Sequence, residues 1–404
     1  MHPALFALAI SAFAIGTTEF LTVGIMPNVA HDLGITLPMA GLIVSVYALG
    51  ATIGAPVLTA LTGHIARRPL LLGLMTLFTL GNMVAAISPN YEILLIARIM
   101  TAFAHGVFFA IGATIAASMV PENRRASAIA IVFSGLTIAI ATGVPLGTML
   151  GQALGWRASF WAVTGLGLVS LLAMFALLPR SIKVQTPGTL ADQARVLGSG
   201  RLLMAFGMNL FGYGGTFVAF TYLASILENI TGVAPNQIGI MMFLYGASVI
   251  AGNIIGGRVA DRDPVPVLII MFALQAVALA AFTLTAGSLI GTVLTLALLG
   301  GLSFCNVPGL HLYVVQLAQK HRPGGVDVAS ALNIAAANLG IALSAAVGGM
   351  VVDSRLGLGS TPWVGALLVT VALGLTVWSG LLDRRERAMV TNAGPQLQGG
   401  GHGY

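Results

Sequence analysis

Charge is the scarcest feature of this sequence. Only 7% of its 404 residues are Asp, Glu, Lys or Arg, and 57% are hydrophobic, whereas about 25% of a soluble chain is charged. Too few charges are present to cover the surface of a soluble fold, so the composition predicts an integral membrane protein. In such a protein the formal net charge of +6 bears on membrane orientation. We therefore expect the lipid bilayer, and not nucleic acid, as its partner.

Cysteine is nearly absent, and catalytic motifs are missing. The single Cys305 excludes a disulfide framework and a CxxC metal pattern. The sequence also lacks a GxxxxGK[ST] phosphate loop and a GxSxG nucleophile motif. We expect no enzyme, no metal, no cofactor and no ATP-driven pump in this chain. A transporter built from it would use an ion gradient, or none.

Long apolar runs are what the sequence has in abundance. A membrane-spanning helix needs about 20 apolar residues, and twelve such runs are bounded by charge, proline or asparagine. The first six predicted spans are about 4–26, 38–62, 69–88, 91–119, 125–150 and 156–178. The second six are about 202–227, 237–257, 264–286, 289–317, 327–352 and 361–382.

An internal repeat divides the twelve spans into two equal sets. The segment 47–54 (YALGATIG) lines up with 245–252 (YGASVIAG), 198 residues later, which supports a duplicated six-span unit. We predict an all-α integral membrane protein with twelve transmembrane helices in two pseudo-symmetric six-helix bundles. The predicted parts are bundles over 1–179 and 201–387, a cytoplasmic linker over 180–200 and a disordered cytoplasmic tail over 388–404.

The basic residues predict how the chain is oriented in the membrane. If the amino terminus lies inside, 15 of the 18 Lys and Arg residues fall in segments that face the cytoplasm. Arg157 and Arg355 fall in outer loops, and Arg98 lies within a span. Because positive charge is enriched on the cytoplasmic side of membrane proteins, both termini are expected to be cytoplasmic.

Two charges, Glu19 and Arg98, lie inside predicted spans. A charge at mid-bilayer costs roughly 2.5–3.5 kcal/mol, so such residues usually face a cavity and have a partner. Both lie roughly 10 Å below the outer surface at about 1.5 Å per residue, which makes an ion pair possible, and His105 follows Arg98 on the same helix face. We predict proton coupling by these three residues, with Glu19 as the carrier. The alternative is a purely structural ion pair and a structural histidine.

Small residues form a stripe along the fifth predicted span. Spaced four apart, they share one helix face, and such a stripe lets a second helix approach closely in lipid. Pro145 removes one backbone hydrogen bond within the stripe. We predict a bendable hinge between two helical bodies that move against each other; a static packing seam is the alternative. The stripe consists of Gly135, Ala139, Gly143, Gly147 and Gly151.

Other polar and aromatic residues within spans are candidates for a substrate cavity. Most buried amides in membrane helices only bond to neighbouring helices, and aromatic side chains more often simply pack. Pro308 and Gly309 predict a broken tenth span, which is tolerated only against protein or a wet cavity. The candidates are Thr18, Phe109, Asn209, Tyr213, Asn306, His311 and Asn338.

Four segments resemble a known family. They are GTTEF at 16–20, YALGATIGAP at 47–56, RIMTAFAHGVFF at 98–109 and GVPLGTMLGQALGWR at 143–157. They resemble the major facilitator superfamily and, within it, the drug/proton antiporter group with twelve spans, in its bacterial arabinose-efflux-permease-like branch. The likeness covers nearly the whole chain except the central loop and the tail.

The resemblance implies the major facilitator fold, a functional monomer and a bacterial inner (plasma) membrane location. It places Gly143, Pro145 and Gly147 in the antiporter motif of the group. It places Arg98 on an arginine that the family associates with proton coupling. Glu19 falls on an acid that some of these exporters use for protons or cationic substrates.

The same resemblance implies a cytoplasmic gate, with one departure from the family pattern. The loop after the second span usually carries an Asp before its basic residues, but here Arg67 and Arg68 follow no Asp. The second half keeps the pattern, with Gly257, Asp261 and Arg262. We expect the gate to depend mainly on the Asp261 side.

The expected function is secondary active transport by alternating access. The chain is expected to be a proton-coupled exporter that exchanges small organic molecules, such as drugs or sugars, for protons. Three alternatives stay open: an uncoupled facilitator of sugars or similar solutes, a non-transporting membrane sensor or scaffold, and an intramembrane enzyme. The few charges of the predicted cavity favour neutral or singly cationic amphiphiles.

Overall fold

The structure, a computed structural model, describes residues 3–58, 61–62, 65–121, 125–180, 182, 190–260, 263–322 and 325–393. These residues form helices and turns, with no strand among them. Twelve helices are long and apolar enough to cross a membrane, which confirms the all-α class and the number of spans. Spans 1 to 6 are Pro3–Leu33, Leu37–Leu58, Arg67–Ile87, Tyr91–Ser118, Ala128–Leu154 and Trp156–Leu177. Spans 7 to 12 are Gly200–Asn229, Pro235–Ala260, Pro264–Thr285, Leu289–His321, Val328–Asp353 and Leu358–Glu386.

Both described ends of the chain lie on one side of this helix bundle, because the number of spans is even. We call it the terminal side and the other the opposite side. A short helix, Leu190–Leu197, lies between spans 6 and 7 on the terminal side. We call spans 1–6 the first half and spans 7–12 the second half. The predicted bundle boundaries at 179, 201 and 387 stay predictions.

The last helix corrects one expectation about the tail. It runs over Thr361–Ala393, so residues 388–393 of the predicted disordered tail are helical. The helix continues because the segment 384–393 contains no proline or glycine, and the strong helix formers of this segment favour propagation of an existing helix. Residues 394–404 lie outside the described part of the chain.

Proline acts differently in spans 5 and 10. In span 5 a wide, π-helical turn occupies Ala139–Gly143, directly before the segment that carries Pro145. Such a turn accommodates a proline ring that would clash with the preceding turn. Span 10, by contrast, is one continuous helix over Leu289–His321 that contains Pro308. The predicted break at Pro308 is therefore wrong: neighbouring helices can hold a membrane helix together despite one missing hydrogen bond.

Span 7 contains an interruption that the sequence analysis did not predict. Its helix ends at Phe220, and a second segment begins at Leu223, after a turn at Thr221 and Tyr222. Tyr222 is fully buried, and its hydroxyl donates to the carbonyl oxygen of Ala345 at 3.0 Å. The bend thus places an aromatic side chain between spans 7 and 11 on the opposite side.

The two halves meet where small residues remove side-chain bulk. Span 2 packs along span 11, and span 5 packs along span 8. A Cβ added at Gly246 would lie 2.5 Å from the Cα of Ala141, and one added at Gly239 would lie 2.2 Å from the side chain of Met149. Glycine is needed at Gly246 because the two backbones approach this closely, whereas at Gly239 it leaves room for the Met149 side chain.

Candidate functional site

Arg98 is buried in the middle of the first half. Its side chain is 1% exposed and reaches from span 4 to span 1, where Nη1 donates to the carbonyl oxygen of Thr18 at 2.8 Å. The guanidinium carbon also lies 4.0 Å from the centre of the Tyr47 ring. An arginine that combines a carbonyl contact with ring stacking retains its charge without a carboxylate partner.

Arg98 does not form the predicted ion pair with the carboxylate of Glu19. Arg98 Nη2 lies 3.5 Å from the backbone carbonyl of Glu19, not from its carboxylate. A helical carbonyl has a second lone pair and can accept from a guanidinium as well as from the helix. The Glu19 carboxylate instead lies 3.9 Å from Nδ1 of His105. The hydroxyl of Tyr47 is hydrogen-bonded to the same nitrogen, at 3.0 Å.

These contacts join spans 1, 2 and 4 in one cluster, which we call the buried polar cluster: Glu19, Tyr47, Arg98 and His105. All four side chains are buried. Glu19 when ionised and Arg98 balance each other in charge, so protonation of Glu19 leaves one net positive charge in a low-dielectric environment. Sequence reasoning missed the role of Tyr47, although Tyr47 begins the repeated segment 47–54.

Next to this cluster a narrow, partly open cavity lies between the two halves, with room in this conformation for about one or two water molecules. Spans 2, 4 and 11 form its walls. His105 and Asn338 are its polar residues, and the rest of the lining is small or apolar. The lining residues are Ala51, Ala55, His105, Gly106, Phe109, Ala331, Ile334, Ala335 and Asn338.

Two of the seven predicted cavity residues, Phe109 and Asn338, line this cavity. Thr18 does not: its hydroxyl donates to Asn82 Oδ1 at 2.5 Å in the contact with span 3. Asn209 donates to Asn333 at 3.1 Å, which satisfies its amide between spans 7 and 11.

The remaining predicted cavity residues also lie elsewhere. Asn306 donates to Gln275 at 2.8 Å, between spans 10 and 9. Tyr213 packs against Phe217 and Phe304, with ring centres 5.1 and 5.3 Å away. His311 is exposed on span 10. Amide and hydroxyl groups within membrane helices bond to neighbouring helices when they can, and sequence spacing alone does not show which ones do.

Aromatic side chains and the bend in span 7 close the space between the halves beyond the cavity. Phe20 lies next to Glu19 in span 1, and its ring centre is 5.8 Å from that of Phe217 in span 7. On the opposite side, a Cβ at Gly41 in span 2 would lie 1.9 Å from the Tyr222 hydroxyl. The cavity is lined by the terminal-side portions of spans 2, 4 and 11, so its route runs toward that side.

The small-residue stripe of span 5 faces span 1, within the first half. Added Cβ atoms at Gly135, Gly143 and Gly147 would meet the backbone of Ala9, the Thr17 hydroxyl and the Leu21 side chain. The stripe therefore does not separate the two halves, as a hinge between moving bodies would. The contact between halves lies on another face of span 5, at Ala141, Pro145 and Met149.

The predicted gate residues are only partly described. Arg67 is buried, and Arg68 donates to the carbonyl oxygen of Phe175 at 2.8 Å, within the first half. Gly257 lies near Pro308. Asp261 and Arg262 fall outside the described residues, so the predicted gate stays a prediction.

A second polar cluster on the terminal side was not predicted. Arg201 of span 7 forms an ion pair with Asp383 of span 12, and the Tyr313 hydroxyl donates to Asp383 at 2.9 Å. Lys320 of span 10 pairs with Glu386 nearby. These contacts hold spans 7, 10 and 12 together within the second half. The charged run 383–387 could have indicated ion pairing, but not its partners.

Twelve spans in two halves, with a narrow cavity between them, are the architecture of a secondary transporter. A family model of the Major Facilitator Superfamily matches residues 8–223 and 202–397, which together cover most of the chain. The chain therefore belongs to the Major Facilitator Superfamily, a family of membrane transporters and not of enzymes. It is a multi-pass membrane protein.

Relatives span almost the full chain. The uncharacterized MFS-type transporter YtbD of Bacillus subtilis is 48% identical over 95% of this chain and 97% of its own length. The chloramphenicol resistance protein of Streptomyces lividans is 32% identical over 97% of this chain and 98% of its own. A solved bacterial homolog of the human lysosomal transporter Spinster, inward-facing and occupied, matches with a TM-score of 0.76 over 93% of this chain and 96% of its own. At 14% identity it supports the fold alone.

Proposed function

We propose that this protein is a proton-coupled exporter of small organic molecules that works by alternating access. The observation that carries the proposal is the position of His105, which lines the cavity and lies 3.9 Å from the Glu19 carboxylate. A group that titrates in the membrane interior thus lies one side chain away from the space where a substrate would bind. Intramembrane carboxylates in such positions usually belong to ion or proton pathways.

The proposed coupling uses Glu19 as the proton carrier. A hydrogen bond needs about 2.7–3.2 Å, so His105 must move by roughly 1 Å toward Glu19 before a proton passes between them directly. Arg98 remains charged and is held by Thr18 and Tyr47. The buried polar cluster therefore has no net charge when Glu19 is ionised. Substrate binding against His105 and proton binding at Glu19 would then compete. One elementary charge moved through 100 mV supplies about 2.3 kcal/mol.

The export direction and the substrate class rest on the relatives. The Streptomyces lividans protein is named for chloramphenicol resistance, so chloramphenicol is the first compound to test. We also propose a bacterial inner membrane, since helical bundles, unlike outer-membrane barrels, are suited to it. In this proposal the protein acts as a monomer with both termini in the cytoplasm. Its cytoplasmic gate is formed by Arg67, Arg68, Gly257, Asp261 and Arg262.

Proteoliposomes with an imposed pH gradient test the coupling. The wild type should accumulate radiolabelled chloramphenicol against its concentration gradient, with matching proton flux reported by an entrapped pH dye. Glu19→Gln keeps the shape of the side chain and removes its titration, so it should still exchange labelled for unlabelled substrate but not accumulate it. Uphill accumulation by Glu19→Gln would show that Glu19 is not the carrier. Equilibration without accumulation by the wild type would favour the uncoupled facilitator.

Single cysteines test the orientation. In a Cys305→Ala background, Ala194→Cys marks the linker helix and Asn236→Cys marks the exposed start of span 8 on the opposite side. A membrane-impermeant maleimide added to intact cells should label position 236 and leave position 194 unlabelled until the cells are opened. The reverse pattern would place both termini outside the cell.

A further inference from the structure

Asn338 brings an unused hydrogen-bond acceptor to the cavity. Its side chain is 7% exposed, and its Nδ2 donates to the carbonyl oxygen of Ile334 in its own helix at 3.2 Å. Its Oδ1 is buried and has no hydrogen-bond partner. A buried acceptor without a partner costs about 1–3 kcal/mol, so a ligand that donates to Oδ1 would recover this free energy.

His105 offers the complementary group on the facing wall. Its Nδ1 is hydrogen-bonded to the Tyr47 hydroxyl at 3.0 Å. In the neutral tautomer that accepts from Tyr47, the proton lies on Nε2, which is then free to donate. The cavity therefore pairs one acceptor, on span 11, with one donor, on span 4.

The remaining walls restrict the shape and polarity of a ligand. Ala51 and Ala55 of span 2 lie across from Ala331 and Ala335 of span 11, with Phe109 beside them. Spans 2 and 11 touch here, with the Thr52 hydroxyl 3.4 Å from the carbonyl oxygen of Ala335. When the halves move apart during transport, the small side chains on the two facing helices open a slot that suits a flat ring, and an aromatic edge adds stacking. A sugar would bury several hydroxyl groups with only two partners, and each unpaired group costs about 1–3 kcal/mol.

Charge is absent from the lining as well. None of the nine described lining residues is a carboxylate, Lys or Arg, and Glu19 lies behind His105. A cationic ligand would leave water without a counter-ion in the slot, which is unfavourable in a low-dielectric environment. The slot therefore disfavours cations and anions alike.

We propose that this slot selects neutral, flat amphiphiles that present an amide, or a similar adjacent donor and acceptor, to Asn338 and His105. The inference rests on the proposed function, because it names the substrate class of the same cavity. It separates the candidate substrates left open by the sequence: neutral amphiphiles are selected, and sugars and organic cations are not.

Binding of four probes to the full-length protein in lipid nanodiscs tests this selection. Biphenyl-4-carboxamide has the ring, the donor and the acceptor; its N,N-dimethyl derivative lacks the donor. Biphenyl-4-carboxamidine has nearly the same shape and a positive charge, and D-arabinose represents the sugars. We expect the amide to bind about tenfold or more tightly than the dimethyl derivative, as one unmade buried hydrogen bond implies, and the amidine and D-arabinose to bind more weakly still.

Variants of two asparagines on the same helix locate the selection. Asn338→Leu should remove the preference for the amide over its dimethyl derivative. Asn333→Leu is the matched control, since Asn333 accepts from Asn209 and lies outside the cavity, and it should keep that preference. Asn338→Asp keeps an acceptor and adds a negative charge, so it should gain affinity for the amidine even if the leucine variant folds poorly.

Several results would overturn the proposal. The first three concern the probes: equal affinity for the amide and its dimethyl derivative, higher affinity for the amidine or D-arabinose than for the amide, or no binding of any probe to folded protein. The fourth is an equal loss of the preference for the amide in Asn338→Leu and Asn333→Leu. The test is separable from that of proton coupling. Amide binding without proton-driven accumulation would retain the slot and reject the exporter, whereas proton-driven accumulation of cations alone would do the reverse.

Discussion

Replacement of Gly246 by alanine should shift the protein away from the conformation seen here. Gly246 in span 8 contacts span 5 of the other half, and its added Cβ would lie 2.5 Å from the Cα of Ala141 and 2.6 Å from the carbonyl oxygen of Ile140. Both are backbone atoms, which cannot rotate aside as a side chain can. Ordinary contact begins at about 3.4 Å, so spans 5 and 8 must separate by roughly 1 Å at this point.

The cost of this separation falls on one conformational state. Overpacking of a close contact typically costs about 1–3 kcal/mol, and 1.4 kcal/mol is a factor of about ten in an equilibrium constant. If the halves rock against each other during transport, only states with this contact bear the cost. The population of the observed state, relative to a state in which the contact is open, should then fall by about 5-fold for 1 kcal/mol and about 150-fold for 3 kcal/mol.

A cysteine in the cavity reports this population. Ala331 lines the cavity and is partly exposed, so the labelling rate of Ala331→Cys in a Cys305→Ala background should fall when Gly246→Ala is added. Gly374→Ala is the control, because an added Cβ there meets nothing within 4 Å. Gly135→Ala meets the Ala9 backbone within the first half, a contact that does not depend on how the two halves are arranged. It should therefore lower the thermal unfolding temperature without favouring one conformation over another. An unchanged labelling rate in Gly246→Ala, with normal folding, would refute the reasoning.

Two further predictions concern the polar clusters. Arg98→Lys should abolish proton-driven accumulation and lower the unfolding temperature, since a lysine cannot combine the Thr18 carbonyl contact with ring stacking; retained accumulation would assign Arg98 a replaceable charge only. Asp383→Asn should destabilise the protein by about 1–3 kcal/mol because it removes the nearer of the two carboxylates that pair with the largely buried Arg201 and leaves only Glu386, at 3.7 Å. Glu386→Gln should cost less than about 1 kcal/mol, because the short contact of Glu386 is to the exposed Lys320 and its contact with Arg201 is long, at 3.7 Å. Thermal unfolding in detergent measures both, and equal shifts would contradict this ranking.

The number of spans could be predicted from the sequence because length and hydropathy decide it locally. Twelve apolar runs became twelve helices, since a backbone in lipid must satisfy its own hydrogen bonds. Spans 10 and 12 show the limit of this reasoning. Pro308 predicted a break that packing of neighbouring helices prevents, and a polar tail predicted disorder where a helix continues to Ala393.

The candidate site was predicted less completely, because burial does not reveal partners. Glu19, Arg98 and His105 could be identified from charge inside an apolar run and do lie together. Their pairing could not be identified, since Arg98 contacts a backbone carbonyl and Glu19 faces His105. Asn338 could not be distinguished from Asn209 by sequence either; only the three-dimensional arrangement pairs Asn209 with Asn333 and leaves the amide oxygen of Asn338 without a partner beside the cavity.

Comparison of equivalent positions in the repeat shows where the two halves differ in chemistry. Thr18 and Thr216 are 198 residues apart, as are Tyr47 and Tyr245, and both threonines bond to an amide of the third span in their half, Asn82 and Gln275. The residue after each threonine differs: Glu19 in the first half, and Phe217 in the second.

This difference gives the two halves different chemistry at equivalent positions. In the first half, the carboxylate joins a tyrosine, an arginine and a histidine in a cluster that can hold a proton. In the second half, Phe217 packs in tilted and edge-on contacts against Phe20 and Phe220 and contributes to closure of the space between the halves. If Glu19 is the proton carrier, the proton site lies in one half only, which gives the pathway an asymmetry that two identical halves would lack. Placing a carboxylate at Phe217 would therefore disrupt the aromatic contact without creating a second coupling site, because the second half has no arginine where the first half has Arg98: the equivalent position 296 is Leu296.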